Sequence, residues 1–424
     1  MRRTLVRRTV TAATAGLLLG GLTAVPAVAA PGDPVPGWAP RPEEAHREVA
    51  VSDRGRVFVA ANSDGGYKPV HYLEVGAFEA WDRTPNIGSP FGSHLATGPN
   101  GYAVHVSYNT YRLYDGSTWS DDATFYDGRV DAVDMDANPA GDVSVLLRLA
   151  ENGGTVLARL QRGGQWTTQE VPGVSSGVPA DIVLNEQGKT TVVWAVPSGE
   201  RSTILRSVVH AGRTDWSSPQ TVGIVNDPEP NLTMVSDGEG RETIVGGNSL
   251  WRQPISTRPH EYRFRTSIFA KLAAGDSDTR VVWPAETEDA HEIRSVMFHD
   301  DVQRPQTTLW SYTKTRCTRT HDLYNVPFGV GMAPGGRSYV AVGLHHDIEP
   351  DETCPDVASL LPVGHYDRVL NEEPLGYFAN GEEFQVAAGP AGPVAVEFKN
   401  WDDHADPLGE EQPDGLYSMS FHQR

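Results

Sequence analysis

The chain has 424 residues, of which 39% are hydrophobic and 21% charged, and 55 acidic residues against 35 basic ones give a formal net charge of −20. That balance argues against nucleic acid and anionic membranes as partners, because both reward basic patches. It fits a soluble extracellular protein, with a divalent cation as one further reading of the acidic surplus.

The first 30 residues read as a signal peptide. Arg2, Arg3, Arg7 and Arg8 make a basic start, an apolar stretch runs from Ala12 to Leu22, and Ala-Val-Ala-Ala closes the segment at 27–30. The apolar stretch is too short to span a bilayer comfortably. Cleavage is expected near Ala29 or Ala30, which makes the mature protein secreted. The pair Arg7-Arg8 leaves two export routes open, general secretion and a twin-arginine route.

From residue 31 onward the sequence repeats. An apolar strand enters a short polar turn with Gly, and a second apolar strand leaves it. The phrase occurs at 49–61, 94–106, 133–147, 181–196, 232–245, 328–342 and 384–398. Few stretches show helical periodicity, and alternating Val, Ile, Tyr, Phe and Thr bounded by Gly, Pro, Asn and Asp signal strands and turns. The gap between Gly240 and Gly336 is twice the usual spacing, so a further hairpin is expected at 269–283 with its turn near Asp276. The segments 192–210 and 281–299 support this, since both begin Val-Val-Trp and run on through Arg-Ser-Val to a His.

A third strand follows each hairpin, and a fourth starts near a Trp, as at Trp81, Trp119, Trp166 and Trp216. The last repeat has a third strand at 415–421 and then ends. The missing phrase stands at 37–45 with Trp38, so the N-terminal strand is expected to complete the final sheet and remove its free edge.

On these residues the chain resembles the β-propeller superfamily, with sialidase-like or lectin-like repeats. The resemblance implies an all-β single domain over 31–424. The expected form is an eight-bladed β-propeller of four antiparallel strands per blade, closed by the N-terminal strand. Seven blades are the alternative, if the 269–283 repeat is an insertion. Ser52, Asp53 and Gly55, and again Ser236 and Asp237, match the front of the sialidase aspartate box, whose closing Trp is missing at both places. Such boxes are structural turns, so no active site is carried over from them. The repeated Trp residues read as packing between blades, or alternatively as platforms for a sugar's C–H face. Asp131, Asp134 and Asp136 enter an inner strand and read as polar lining of a central channel.

Three loops on the face shared by the blade-to-blade connections carry the richest chemistry. The first holds Glu286, Glu288, Asp289 and His291. The second holds His345, His346, Asp347, Glu349, Asp351 and Glu352. The third holds Trp401, Asp402, Asp403, His404 and Asp406. Catalytic candidates are Asp402, Asp403, His404 and Glu288, because paired carboxylates and imidazoles can serve as acid and base. Ligand-binding candidates are His291, His345, His346, Trp401 and His404. Metal candidates are Asp347, Glu349, Asp351, Asp402 and Asp406, an oxygen-rich set that suits calcium better than zinc. Solvated surface loops are the bland reading of the same residues. Cys317 and Cys354, the chain's two cysteines, are expected to pair in an oxidising compartment. The expectation is a secreted monomer that binds a carbohydrate or surface polymer. A polysaccharide-active hydrolase or lyase and a protein-interaction scaffold are the alternatives.

Overall fold

The computed structural model describes residues 93–150, 153–253 and 270–314 without a break, and shorter stretches within 38–83, 260–262, 326–344, 357–377, 381–400 and 414–420. These residues form antiparallel meanders, here numbered as sheets in chain order. Sheet 1 is Glu44–Val51, Arg56–Ser63, Val70–Glu74 and Asp82–Arg83. Sheet 2 is Ser93–Thr97, Ala103–Ser107, Thr110–Tyr114 and Ala123–Thr124, with a 3-10 turn at Pro99–Gly101. Sheet 3 is Val130–Ala137, Val143–Leu149, Thr155–Leu160 and Trp166–Glu170. Sheet 4 is Ala180–Leu184, Thr190–Ser198, Arg201–Val209 and Gln220–Val225. Sheet 5 is Leu232–Ser236, Glu242–Gly246, Ser249–Gln253 and His260–Tyr262.

Sheet 6 contains Lys271–Ala274, Asp278–Glu286 and Ala290–His299, the hairpin expected between residues 240 and 336. It has one strand more than the sequence suggests. Val302–Gln303 and Thr307–Thr313 both pair with Ala290–His299, at different points along its ten residues. Sheet 7 is Phe328–Met332, Ser338–Leu344, Val357–Val363 and Glu373–Tyr377. Sheet 8 takes three strands from the end of the chain, Gly381–Ala388, Pro393–Asn400 and Asp414–Ser420. Its fourth strand is Trp38–Arg41, paired antiparallel with Asp414–Ser420 in the register Trp38↔Tyr417 to Arg41↔Asp414.

The first strand of each sheet lies beside the first strand of the next, and Gly381–Ala388 lies beside Glu44–Val51. The second strands explain how the sheets stack. Val143–Leu149 is buried at six of its seven positions, not at alternate ones. A strand covered on both faces reads as a continuous apolar run, because each pleat direction meets a neighbouring layer. The core is accordingly a series of wedges between sheets. Val104 and Val106 of sheet 2 pack with Val145 and Leu147 of sheet 3. Leu146 and Leu157 of sheet 3 pack with Val192 and Trp194 of sheet 4. Val282 and Ile293 of sheet 6 pack with Val340 and Val342 of sheet 7. Sheets 7 and 8 approach closely at Gly329, where an added Cβ would stand 2.5 Å from the Phe384 carbonyl oxygen. Only a residue without a side chain fits there.

Trp119, Trp166 and Trp216 pack between layers. Trp166 of sheet 3 stacks on Phe125 of sheet 2 at 4.4 Å between ring centroids and meets Tyr111 edge-on at 5.2 Å. Trp119 of sheet 2 lies 5.9 Å from Phe58 of sheet 1 and 5.3 Å from Tyr114. Trp216, just before the last strand of sheet 4, donates its Nε1–H to the Glu170 carbonyl of sheet 3 at 3.0 Å. Trp81 and Trp401 lie outside the described residues.

Candidate functional site: an acidic axial channel

The first strands carry carboxylates at positions where neighbouring strands share no backbone ladder. Side chains bridge them instead. Asp136 of sheet 3 accepts the Leu184 N–H of sheet 4 at 2.7 Å and the adjacent Ala137 N–H at 2.8 Å. Asp181 of sheet 4 repeats the arrangement one sheet on, accepting the Met234 N–H at 2.5 Å and the Ile182 N–H at 2.7 Å. On the other side of Asp136, His94 Nε2 of sheet 2 meets the Val133 carbonyl of sheet 3 at 2.8 Å. Asp134 and Asp136 lie two residues apart on one strand, so both point to the same face.

A cavity of about 540 Å3 opens where the first strands run into their hairpin turns. It is lined by Val51, Thr97, Asp136, Leu184, Ser236, Ala274, Met332 and Ala388, one residue from the first strand of each sheet in turn. A single hollow touched by every first strand lies on the axis about which the sheets are arranged. The chain is a β-propeller. A second cavity of about 470 Å3 occupies the other end of the propeller's axis, between Asp134, Asp181, Lys271 and Gln385. Asp181 borders both hollows.

The electrostatics of this channel are unusual for carboxylates. Burial pushes the Asp136 carboxyl up to about 7 against the pull of its two N–H bonds, and the neighbouring Asp134 adds to the rise. Burial likewise holds Asp181 well above the ordinary carboxylate range, helped by the charge of Asp134 and a hydrogen bond with it. Both side chains keep some accessible surface, but that surface faces a narrow channel walled by protein, where bulk water solvates a charge poorly. Among the described residues lining the second hollow the cation is Lys271, whose Nζ is engaged by the Phe384 carbonyl at 3.3 Å and lies 5.3 Å from the Phe328 ring centre. A carboxyl that titrates near neutrality can donate a proton or accept one, and when protonated it is both a hydrogen-bond donor and an acceptor.

Two other acids at the channel mouth, Asp53 and Asp237, are structural. Asp53 accepts the Asn100 and Gly101 N–H groups, both at 2.7 Å, and so clamps the 3-10 turn of sheet 2 onto sheet 1. Asp237 is buried and paired with Arg241 at 2.8 Å and Arg252 at 2.9 Å. Both aspartates that match the aspartate-box phrase therefore hold turns and layers together.

Of the loop residues singled out from sequence, the four of the first loop, Glu286, Glu288, Asp289 and His291, fall in the described stretches. Glu288 is exposed on the turn between Asp278–Glu286 and Ala290–His299. His291 does not lie on a loop, as the sequence suggested. It sits inside the strand Ala290–His299, opposite Glu286, and is 1% exposed. The long strands continue the ladder almost to the turn, so the expected acidic loop shrinks to residues 287–289, and Glu286 is held by Lys314. His345, His346, Asp347, Glu349, Asp351, Trp401, Asp402, Asp403, His404, Asp406, Cys317 and Cys354 lie outside the described residues. Among the described residues no group of three or more His, Cys, Asp or Glu side chains is poised for a metal ion. No described helix is long and apolar enough to cross a membrane.

No known protein family and no curated protein matches the sequence. Among solved structures, the Aleuria aurantia lectin in complex with Fucα1-6GlcNAc is similar at 12% identity and a TM-score of 0.39, over 80% of this chain and 97% of the lectin. A polysaccharide lyase, an ulvan lyase, is similar at 10% identity and a TM-score of 0.43, over 80% of this chain and 95% of the lyase. A prolyl endopeptidase is similar at 10% identity and a TM-score of 0.45, over 85% of this chain and 54% of the peptidase. At these values the likeness carries no argument about ligand, and the propeller assignment rests on the sheets and the axial cavity.

The channel aspartates are the functional candidates that the loop-centred sequence reading underweighted. Their signal was present in Asp134 and Asp136, two residues apart among apolar neighbours in one strand. Asp181 carried no such signal, since it stands alone in its strand.

Proposed function

We propose that the protein is a secreted, eight-bladed β-propeller, closed by its N-terminal strand, that binds a carbohydrate in its axial channel. The observation that carries this reading is the cavity of about 540 Å3 lined by every first strand. That size falls within the usual range for small-ligand pockets. Its wall alternates hydrogen-bonding groups, such as Asp136, Asn138 and Ser236, with the apolar side chains of Met135, Met234 and Met332. A sugar ring presents the same alternation, a rim of hydroxyls around apolar C–H faces. Neutral carboxyls suit it better than a cation, because a protonated Asp136 both donates to and accepts from a hydroxyl.

Removal of residues 1–30 and a Cys317–Cys354 bond belong to the same reading of a secreted protein. A glycan array probed with the mature protein tests it. Binding to a defined set of glycans that is lost in Asp136→Leu supports the channel as the site. An array with no binding above background, or binding indifferent to that change, sinks it.

A second reading has one observation in its favour. A carboxyl raised to about 7, with the raised Asp181 carboxyl bordering the same channel, is the state a general acid or base needs. A polysaccharide hydrolase or lyase would then act in the channel. Release of shorter saccharides or unsaturated ends from a polysaccharide panel, abolished by Asp136→Asn, would favour it over simple binding.

A further inference from the structure

A third cleft of about 180 Å3 lies away from the axis, between sheets 3 and 4. Arg159, on the third strand of sheet 3, forms its floor. The guanidinium is half-buried and donates to two backbone carbonyls of sheet 4, from Nη1 to His210 at 2.9 Å and from Nη2 to Arg213 at 2.5 Å. Arg213 itself lines the same cleft. Among the described residues, no carboxylate forms an ion pair with either arginine. Arg213 is exposed at the cleft mouth, whereas Arg159 is half-buried and has no counter-charge among the described residues.

A second group in the cleft is also incomplete. Gln169, on the last strand of sheet 3, has both side-chain polar atoms, Oε1 and Nε2, buried and without a hydrogen-bond partner. A buried amide left unsatisfied is destabilising, and proteins seldom keep one without a use. Burial also lowers the affinity of the Arg159 guanidinium for its proton, which marks the same shortage of a nearby anion.

The cleft's remaining carboxylate, Asp142, is already occupied. It accepts the Arg162 N–H at 3.0 Å and an N–H of Asn138 at 3.3 Å. The surroundings are otherwise neutral, with Gln165, Thr168 and Thr214 at the rim.

We propose that this cleft is a binding site for a small hydroxylated carboxylate, of which a uronic acid is the sugar form. The carboxylate would face Arg159 and Arg213, whose geometry and fixed charge suit such a group. Rotation of the Gln169 side chain into the cleft would bring its amide to an adjacent hydroxyl, donating through Nε2 and accepting through Oε1. The threonine and glutamine rim would take the remaining hydroxyls. The site is separate from the axial channel, and it rests on the carbohydrate reading only in the choice of a sugar acid as probe.

The test is a titration of the mature protein with D-glucuronate, D-glucose and acetate, followed by NMR or calorimetry. Saturable binding of glucuronate is expected, weaker at high salt, with glucose at least tenfold weaker and acetate intermediate. Arg159→Gln should weaken glucuronate at least tenfold. Gln169→Leu should weaken it at least fivefold while leaving the melting temperature equal or higher, because it removes an unsatisfied buried amide. That combination separates a ligand contact from a packing role. Glucuronate binding that survives both cleft variants but is lost in Asp136→Leu would put the ligand in the channel and overturn this proposal, so failure here and failure of the channel reading are distinguishable. No saturable binding, equal binding of glucose and glucuronate, or full binding by both cleft variants would overturn the proposal.

Discussion

Asp136 Oδ2 accepts the Leu184 N–H at 2.7 Å, and this bond joins two first strands that belong to different sheets. Adjacent first strands at the centre of a propeller cannot form a ladder, so their inward backbone groups need side chains or water. Asp136 meets that need for Leu184, and Asp181 meets it for Met234. The same two carboxyls border the axial hollow, so the groups that hold the ring's inner wall are also the groups a ligand would meet.

The raised Asp136 value has a consequence for stability. Its pKa is about 7 in the fold against an ordinary value of 3.8. The folded state therefore holds a proton that the unfolded chain releases, and this group's contribution is complete below pH 4 and is lost as pH rises toward 7. Since three units correspond to about 4 kcal/mol at most, and channel water reduces this, a difference of about 2 kcal/mol is expected. Melting curves of wild type and Asp136→Asn between pH 4 and 8 check it. The wild type should lose stability relative to the variant as pH rises across that window.

The buried ion pair between sheets 4 and 5 should behave in the opposite sense. Glu242 is 0% exposed and receives Arg206 at 2.6 Å, Lys189 at 2.8 Å and the Thr191 hydroxyl at 2.6 Å. Burial raises its pKa, but Arg206 and Lys189 outweigh that and hold it below the ordinary 4.5. Its contribution is present above that value and is lost as pH falls through the depressed one. Glu242→Gln leaves Arg206 without its counter-charge and should cost about 3 kcal/mol in denaturant melts at pH 7, more than a typical surface change.

Trp166 separates packing from ligand stacking. Its face is covered by Phe125 and its edge meets Tyr111, so Trp166→Ala should lower stability by about 3 kcal/mol. Glycan affinity of the folded variant, measured well below its melting temperature, should stay within twofold of wild type.

The cysteine pair is checked by intact mass under non-reducing conditions. The expected mass is lower than that of the free-thiol chain by two hydrogens. Closing about 37 residues contributes roughly 4 kcal/mol in the chain-entropy model, so reduction should lower the melting temperature measurably.

Much of the architecture was legible in the sequence because repetition is a property of order along the chain. Gly101, Gly141, Gly188, Gly240 and Gly336, which fall in the turns of the repeated phrase, all have positive φ, a conformation that favours glycine. The matched Val-Val-Trp phrases located the hairpin of sheet 6 because both second strands are buried on two faces. The pairing of Trp38 with Tyr417 was legible from a missing phrase at one end and a spare one at the other.

The site was less legible. His291 looks like a loop residue by its acidic neighbours, yet a nine-residue strand on one side and a ten-residue strand on the other carry the ladder past it. The importance of Asp181 depends on contacts with residues 134 and 234, and no local pattern encodes a meeting that distant. Gln169 and Arg159 likewise look like ordinary strand residues until the neighbouring sheet covers them.

The central claim is that a carbohydrate occupies the axial channel. The most direct measurement is a calorimetric titration of the best-bound array glycan onto wild type and Asp136→Leu, with circular dichroism confirming that both are folded. The account predicts a loss of affinity of at least tenfold in the variant. Equal affinity in the two folded proteins would contradict it.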